Sequence, residues 1–169
     1  MKLLSRQVEP EPGEPTVESF AGFYARQYRA VFAVALALTG DRSQAEDLTQ
    51  DSFLAAFAAW DRIEDPAAWI RTVVSNKAMS WWRRQYTSQR AMSRFTAAGG
   101  SSTEATETEA FWAEVRRLPR RQAQTVTLFY LDDLPVSEIA RMLACSESTA
   151  RTHLSRGRQT LASRLGVDE

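Results

Sequence analysis

The chain has 169 residues, 44% hydrophobic and 25% charged, with 21 basic and 21 acidic side chains and a net charge of zero. This is ordinary globular composition, enough for one average domain or two small ones, and no apolar run approaches the roughly 20 residues that span a bilayer. A single cysteine and a single histidine exclude an internal disulfide and a multi-cysteine zinc site, and no nucleophile–base cluster stands out, so no catalysis, metal or cofactor is expected.

Residues 1–17 are rich in proline and glutamate and lack a long apolar stretch. They read as a mobile N-terminal tail, not a leader for secretion or insertion, and the cytoplasm is the expected compartment. A first helix is traced by Phe20, Phe23, Tyr24, Tyr28, Val31, Val34, Ala35 and Leu38, with Gly40 as its stop. Ser43 and Glu46 have the spacing of a capping box, opening a second helix to about Trp60. Asp47, Gln50, Asp51, Leu54 and Ala58 share one open side of it, with Phe57 at the margin. Apolar groups ringed by carboxylates suit a protein interface; the competing reading has Leu54 and Phe57 filling a core from a neighbouring helix.

Asp65 and Pro66 mark the N-cap and first position of a third helix, to about Tyr86. At about 100° per residue, Ile70, Val73, Val74, Ala78 and Trp81 form its core stripe, with Lys77 at the edge. Arg71, Thr72, Ser75, Asn76, Met79, Trp82, Arg83 and Tyr86 gather on the other side, expected to face outward. Rings stack on unpaired bases and arginines neutralise phosphates, so this face suits single-stranded nucleic acid. The competing reading places Trp82 in the core and leaves the arginines solvated.

From residue 87 the chain turns rich in Gly, Ser, Thr and Glu, and residues 91–108 read as a flexible linker. A second helical block runs from about Glu109 to Leu165, interrupted at Leu118-Pro119 and around Asp132–Pro135. Within it, residues 136–158 (VSEIARMLACSESTARTHLSRGR) have the form of a helix-turn-helix. Val136, Ile139, Ala140 and Leu143 make the first helix's apolar stripe; Ala144-Cys145 connects; Ser146 is the N-cap of the second helix. That helix turns Ala150, Leu154, Leu161 and Leu165 inward and Glu147, Ser148, Arg151, Thr152, Ser155 and Arg158 outward. Short polar groups near its start can approach base edges, and arginines reach guanines or phosphates; the competing reading is a solvated helical hairpin. Cys145 and His153 read as structural.

Charge supports distinct faces. Residues 1–65 carry 6 basic and 11 acidic side chains, 66–94 carry 6 basic and no acidic ones, 95–114 add four glutamates, and 115–169 carry 9 basic and 6 acidic. No strand signal emerges. The fold expected is all-α: two small helical domains joined by a flexible linker, the C-terminal one a helix-turn-helix.

These pieces in this order resemble the extracytoplasmic-function (ECF) sigma factors of bacterial RNA polymerase. The resemblance rests on LTGDRSQAEDLTQDSFLAAF, DPAAWIRTVVSNKAMSWWRR and LPRRQAQTVTLFYLDDLPVSEIARMLACSESTARTHLSRGRQTL, within about residues 18–90 and 109–165. It implies a promoter-melting and polymerase-docking domain at 18–90, an upstream-element domain at 109–169, and no enzymatic activity. Asp47, Gln50 and Asp51 resemble the positions that dock on the polymerase clamp helices, with Leu54 on the same face. Asn76 and the run Trp81, Trp82, Arg83, Arg84 match the strand-opening helix, with Arg71 and Met79 beside them. The loop Asp61, Arg62, Ile63, Glu64, Asp65 resembles the one that cradles an extruded base of the −10 element. Ser146–Arg158, which includes Thr149 and Arg156, matches the helix that reads the −35 element.

Ala123 and Phe129 depart from the family pattern where arginine is common, Asp133 where a turn glycine is usual, Ser148 at a frequent glycine, and Ala150 at a larger aliphatic. Partners implied are core polymerase and promoter DNA, both duplex and single-stranded, with an anti-sigma factor as a further candidate that no residue identifies. No membrane partner is expected, and family branches with a long appended sensory domain are not expected either. A free-standing dimeric regulator would explain the helix-turn-helix alone; a protein-only adaptor would explain only the acidic face.

Overall fold

A computed structural model describes residues 19–93 and 106–166, which fold into seven α-helices and one short 3-10 turn, with no strand among the described residues. Helix α1 spans Phe20–Thr39. It opens on Ser19, whose hydroxyl accepts from the Gly22 N–H, and closes on Gly40 at φ 68°, whose N–H donates to the Leu36 carbonyl at 2.8 Å. The left-handed turn suits glycine. Asp41 follows immediately and caps α2 (Arg42–Ala58) by accepting from the Gln44 N–H at 2.9 Å.

The capping box expected from Ser43 and Glu46 therefore does not form. Ser43 already lies inside the first turn, and Glu46 pairs with Arg42 at 3.0 Å. An aspartate at the end of a two-residue connection is a competent cap two residues earlier, and it wins. A 3-10 turn at Trp60–Arg62 leads to α3 (Pro66–Ser93), where the Asp65 carboxylate accepts from the Ala68 N–H at 3.0 Å. Beyond the interruption lie α4 (Glu107–Arg116), α5 (Arg120–Leu131), α6 (Val136–Met142) and α7 (Glu147–Leu165). Thus 91–93 and 107–108, read as linker ends, are helical; 94–105 and the tail 1–17 lie outside the described residues.

Helices α1, α2 and α3 pack on one another around Phe23, Val31, Val34, Leu38, Phe53, Ile70 and Val74. Aromatic edges finish this unit: Phe20 meets Trp60 at 5.2 Å and Tyr24 meets Phe53 at 4.7 Å between ring centres. In the second unit α7 packs on α5 and α6, with Leu128, Ile139, Met142 and Leu143 at its centre. Ala150, Leu154 and Leu161 are buried as expected, and Gly157 joins them. A Cβ at Gly157 would stand 2.8 Å from Val126 Cγ2, so only glycine lets α7 lie this close to α5.

The two units also pack against each other. Helix α1 touches α4 and α5, α3 touches α5 and α6, and one apolar cluster runs from Val34, Leu38 and Met79 into Val115, Leu118, Ala123 and Val126. Helix α3 is thus covered on two sides, which decides the geometry of the sites.

Candidate nucleic-acid and protein interfaces

The second helix of the helix-turn-helix presents an open face. Ser146, Glu147, Ser148, Thr149, Arg151, Thr152, Ser155, Arg156 and Arg158 are all exposed, while Ala150, Leu154 and Gly157 anchor the opposite side. The Ser146 hydroxyl accepts from the Thr149 N–H at 3.1 Å and sits within 2.9 Å of the Ser148 and Thr149 hydroxyls, giving a compact polar start to α7. Arg151 pairs with Glu147 one turn earlier on the exposed surface. Such a pair is weak, so a stronger anion can take the guanidinium.

Arg158 is already held. Its Nε donates to the Tyr130 hydroxyl at 2.8 Å, and the guanidinium lies 4.9 Å and 5.3 Å from the Phe129 and Tyr130 ring centres. Sequence reasoning missed this clasp because α5 and α7 are distant in the chain. Burial, with Arg121 and Arg156 nearby, holds the His153 imidazole below its ordinary pKa. The Ala144-Cys145 turn closes α6: Ala144, at φ 51°, donates to the Arg141 carbonyl and Cys145 to the Ala140 carbonyl. Asp133, at the usual glycine position, is likewise left-handed at φ 49°.

On α2, Asp47, Gln50, Asp51, Leu54 and Phe57 are exposed, Leu54 at 67% and Phe57 at 64% of full accessibility. The two apolar side chains do not fill a core. They stand in an acidic setting on an open helix face.

The face of α3 expected to point outward does not. Met79 is fully buried, Ser75 is buried, and Trp82 is half-buried, stacked on Tyr86 at 5.8 Å with the Arg116 guanidinium 5.6 Å from its ring centre. The Asn76 carbonyl oxygen accepts from Arg120 at 2.6 Å and from Gln124 at 2.8 Å. Gln124 also donates to Ser75 at 3.2 Å, and Arg71 pairs with Asp132 at 2.9 Å. Only the C-terminal end, with Arg83, Arg84 and Tyr86, is open; Trp81 is half-buried. The expectation failed because a polar, carboxylate-free helix side has the same periodicity whether solvent, a nucleic acid or another part of the chain covers it.

The 61–65 loop borders a cleft of about 660 Å³, lined also by Trp69, Thr72 and Val73 and walled by Arg141 and Met142 of α6. Asp61, Arg62 and Glu64 are exposed and Ile63 is half-buried. Asp65 pairs with Arg141 at 2.9 Å. The Ala68 N–H, with help from Arg141, holds the Asp65 carboxyl below the usual carboxylate range. Asp132 is different: burial raises its pKa although Arg71 opposes the shift.

Arg116, which nothing in the sequence distinguished from Arg117, is 7% exposed. It donates to the Ala37 carbonyl at 3.0 Å, pairs with Glu109 at 2.6 Å, and lies so close to Gly40 that a Cβ there would be 2.7 Å from the guanidinium carbon. A cation at the end of α1 also complements its helix dipole. No His, Cys, Asp and Glu cluster among the described residues could hold a metal, and no helix among them is long and apolar enough to cross a membrane.

Two family profiles match the chain: "Sigma-70 region 2" over residues 23–87 and "Sigma-70, region 4" over residues 108–161. The chain is 29% identical to the "Probable RNA polymerase sigma factor RfaY" of Xanthomonas campestris over 80% of its own length and 37% of that protein's. It is 25% identical to the ECF RNA polymerase sigma factor EcfG of Rhodopseudomonas palustris, over 80% of this chain and 79% of that one. The chain therefore spans little more than a third of one curated relative and most of another. Among solved structures, the sigma factor RpoE of Bartonella quintana, in complex with the anti-sigma factor NepR, superposes with a TM-score of 0.69 at 23% identity, covering 89% of this chain and 98% of that chain. That likeness carries the fold.

Proposed function

Because the chain belongs to the sigma-70 family, in its extracytoplasmic-function branch, with regions 2 and 4 in order, we propose that it is a dissociable initiation subunit that gives core RNA polymerase its promoter specificity. In this reading α7 enters the major groove of the −35 element through Ser146–Arg158, short polar side chains first and arginines after them. The α2 face of Asp47, Gln50, Asp51 and Leu54 docks on the polymerase. The 61–65 loop and α3, through Arg71, Asn76, Trp81, Trp82, Arg83 and Arg84, receive the opened −10 strand, while Met79, fully buried in the apolar cluster, serves packing. The protein contributes binding and no bond chemistry of its own, and it works where the polymerase is, in the cytoplasm. An anti-sigma factor, such as the one bound to the Bartonella relative, is a natural antagonist.

The observation that carries the reading is the coexistence, in one chain, of an open recognition helix and an exposed Leu54–Phe57 face set among carboxylates. A stand-alone regulator needs the first and has no use for the second. Zero net charge limits nonspecific attraction to phosphates, so the free chain should bind duplex promoter DNA poorly and gain specific binding with core polymerase. Gel-shift titration of promoter duplexes, with and without core enzyme, tests this. Tight sequence-specific binding by the free chain at physiological salt would favour the dimeric regulator instead.

A further inference from the structure

We propose that Phe129 and Tyr130, at the end of α5, belong to the DNA interface although they lie outside the helix-turn-helix. They hold Arg158 of α7 in place as a clamp for one backbone phosphate of the upstream duplex. Arg158 is then the residue that touches DNA, and Tyr130 is a positioning residue that acts through it. The inference rests on the reading of α7 as the helix that enters the duplex, and it adds which cation on that helix is ordered before DNA arrives, and by what.

Tyr130 is 46% exposed, yet its ring is fixed. Phe129 meets it edge-on at 5.2 Å between ring centres, and Phe111 of α4 does so at 6.1 Å. The phenol oxygen therefore has a set position, and there it accepts from Arg158 Nε at 2.8 Å. The guanidinium rests 4.9 Å from the Phe129 ring centre and 5.3 Å from that of Tyr130. Phe129 stands where arginine is common in the family. A second guanidinium at that distance would repel Arg158, whereas a ring attracts it.

The clasp leaves the charge of Arg158 uncompensated. Arg151, seven residues earlier on the same side of α7, has Glu147 as its ion-pair partner. Arg158 has no carboxylate partner among the described residues, only the two rings and the hydroxyl. A guanidinium offers five N–H donors, so with Nε on Tyr130 the Nη groups remain for an outside anion, which can bind without breaking the clasp. A free arginine loses rotamer freedom when it binds; here that order is already present in the free chain.

Position along α7 selects phosphate over base. Recognition helices reach base edges with their N-terminal residues. Arg158 lies eleven residues beyond Glu147, the first residue of α7, and so about 16 Å further along the axis. At that distance, beside the end of α5, the helix passes the sugar–phosphate backbone, where arginine contacts fix register and carry no sequence information.

The test uses the full chain and two fluorescein-labelled duplexes, one G·C-rich and one A·T-rich. Each has about 30 base pairs and is titrated between about 20 and 100 mM salt, where the phosphate term dominates. Arg158→Ala should reduce the slope of log affinity against log salt by about one, equally on both duplexes. Tyr130→Phe keeps the ring and loses the hydroxyl. It should leave the slope unchanged, because no charge is lost, yet weaken binding about two- to tenfold by returning rotamer freedom to one long side chain. Added to Arg158→Ala, Tyr130→Phe should change nothing further.

Wild-type affinity in Tyr130→Phe, or additive losses in the double variant, overturns the clamp. A loss confined to the G·C-rich duplex gives Arg158 to guanine and overturns it too. So does a wild-type chain that binds neither duplex at the lowest salt, since a preorganised clamp needs no polymerase. Should Tyr130→Phe disturb the circular dichroism, Arg158→Lys decides: it keeps the charge but lacks the planar fork that stacks on the rings. Its slope should persist while its affinity falls, and unchanged affinity overturns the proposal. Neither polymerase nor promoter takes part, so failure of the initiation-subunit reading shows separately, in the core-dependent promoter binding described above.

Discussion

Ala144 holds the turn of the helix-turn-helix in a left-handed conformation that a side chain resists. That conformation costs an L-residue about 1–2 kcal/mol, and glycine's extra freedom when unfolded gives back roughly 0.5–1 kcal/mol of the difference. Ala144→Gly should therefore stabilise the chain by about 0.5–1 kcal/mol, seen as a higher melting temperature. A lower one would mean that the alanine methyl has packing worth more than the strain. His153 gives a pH signature. Its folded pKa is depressed, chiefly by burial and then by Arg121 and Arg156, so the neutral ring is the form the fold favours. Its contribution is complete above the unfolded value of about 6.5 and is lost as pH falls toward the lower folded pKa. Thermal melts between pH 7.5 and 5.5 should show a decline that is smaller in His153→Gln; an equal decline in both would assign it to other groups.

At the scale of the element, α7 and α2 carry separable roles. Arg151→Ala on α7 should impair recognition of particular bases, since one good base contact is worth about 1–3 kcal/mol. Binding to all single-base variants of the upstream element reads this out, and uniform weakening would make Arg151 a phosphate contact instead. On α2, Asp51→Arg or Leu54→Glu puts the wrong charge into the proposed docking face and should lower affinity for core polymerase without changing circular dichroism. Both residues are exposed, so a folding defect would be unexpected, and unchanged affinity would move the dock elsewhere. The ends of α1, α3 and α7 were legible in the sequence because their signals are local. Ser146, Gly40 and the Asp65–Pro66 pair sit at the helix ends they announce, and the apolar stripe of α7 lies where 3.6-residue spacing puts it. Helix α3 was half legible. Ile70, Val74 and Ala78 form its core stripe as spacing requires, but Met79, Asn76 and Arg71 meet residues 44 or more positions away, or lie in a seam built by both units. Periodicity gives a helix two sides and cannot say what covers each. Asp41 displaced Ser43 as a cap because both residues have the right chemistry and only the length of the connection chooses between them.

For the whole molecule, the exposed faces and the covered one fit a protein that acts only in company. The α7 and α2 faces are open in the free chain, whereas the α3 side lies against α5 and α6. A chain organised this way can find polymerase and upstream DNA first and engage the opened strand afterwards. The measurement that bears most directly on the central claim is run-off transcription with purified core polymerase and a library of promoters. Adding the chain should produce discrete transcripts from a small subset of templates, with none from core alone, and the Asp51→Arg variant should abolish them. A wild-type chain that folds, yet yields no transcript from a library covering diverse −35 and −10 elements, would contradict the account.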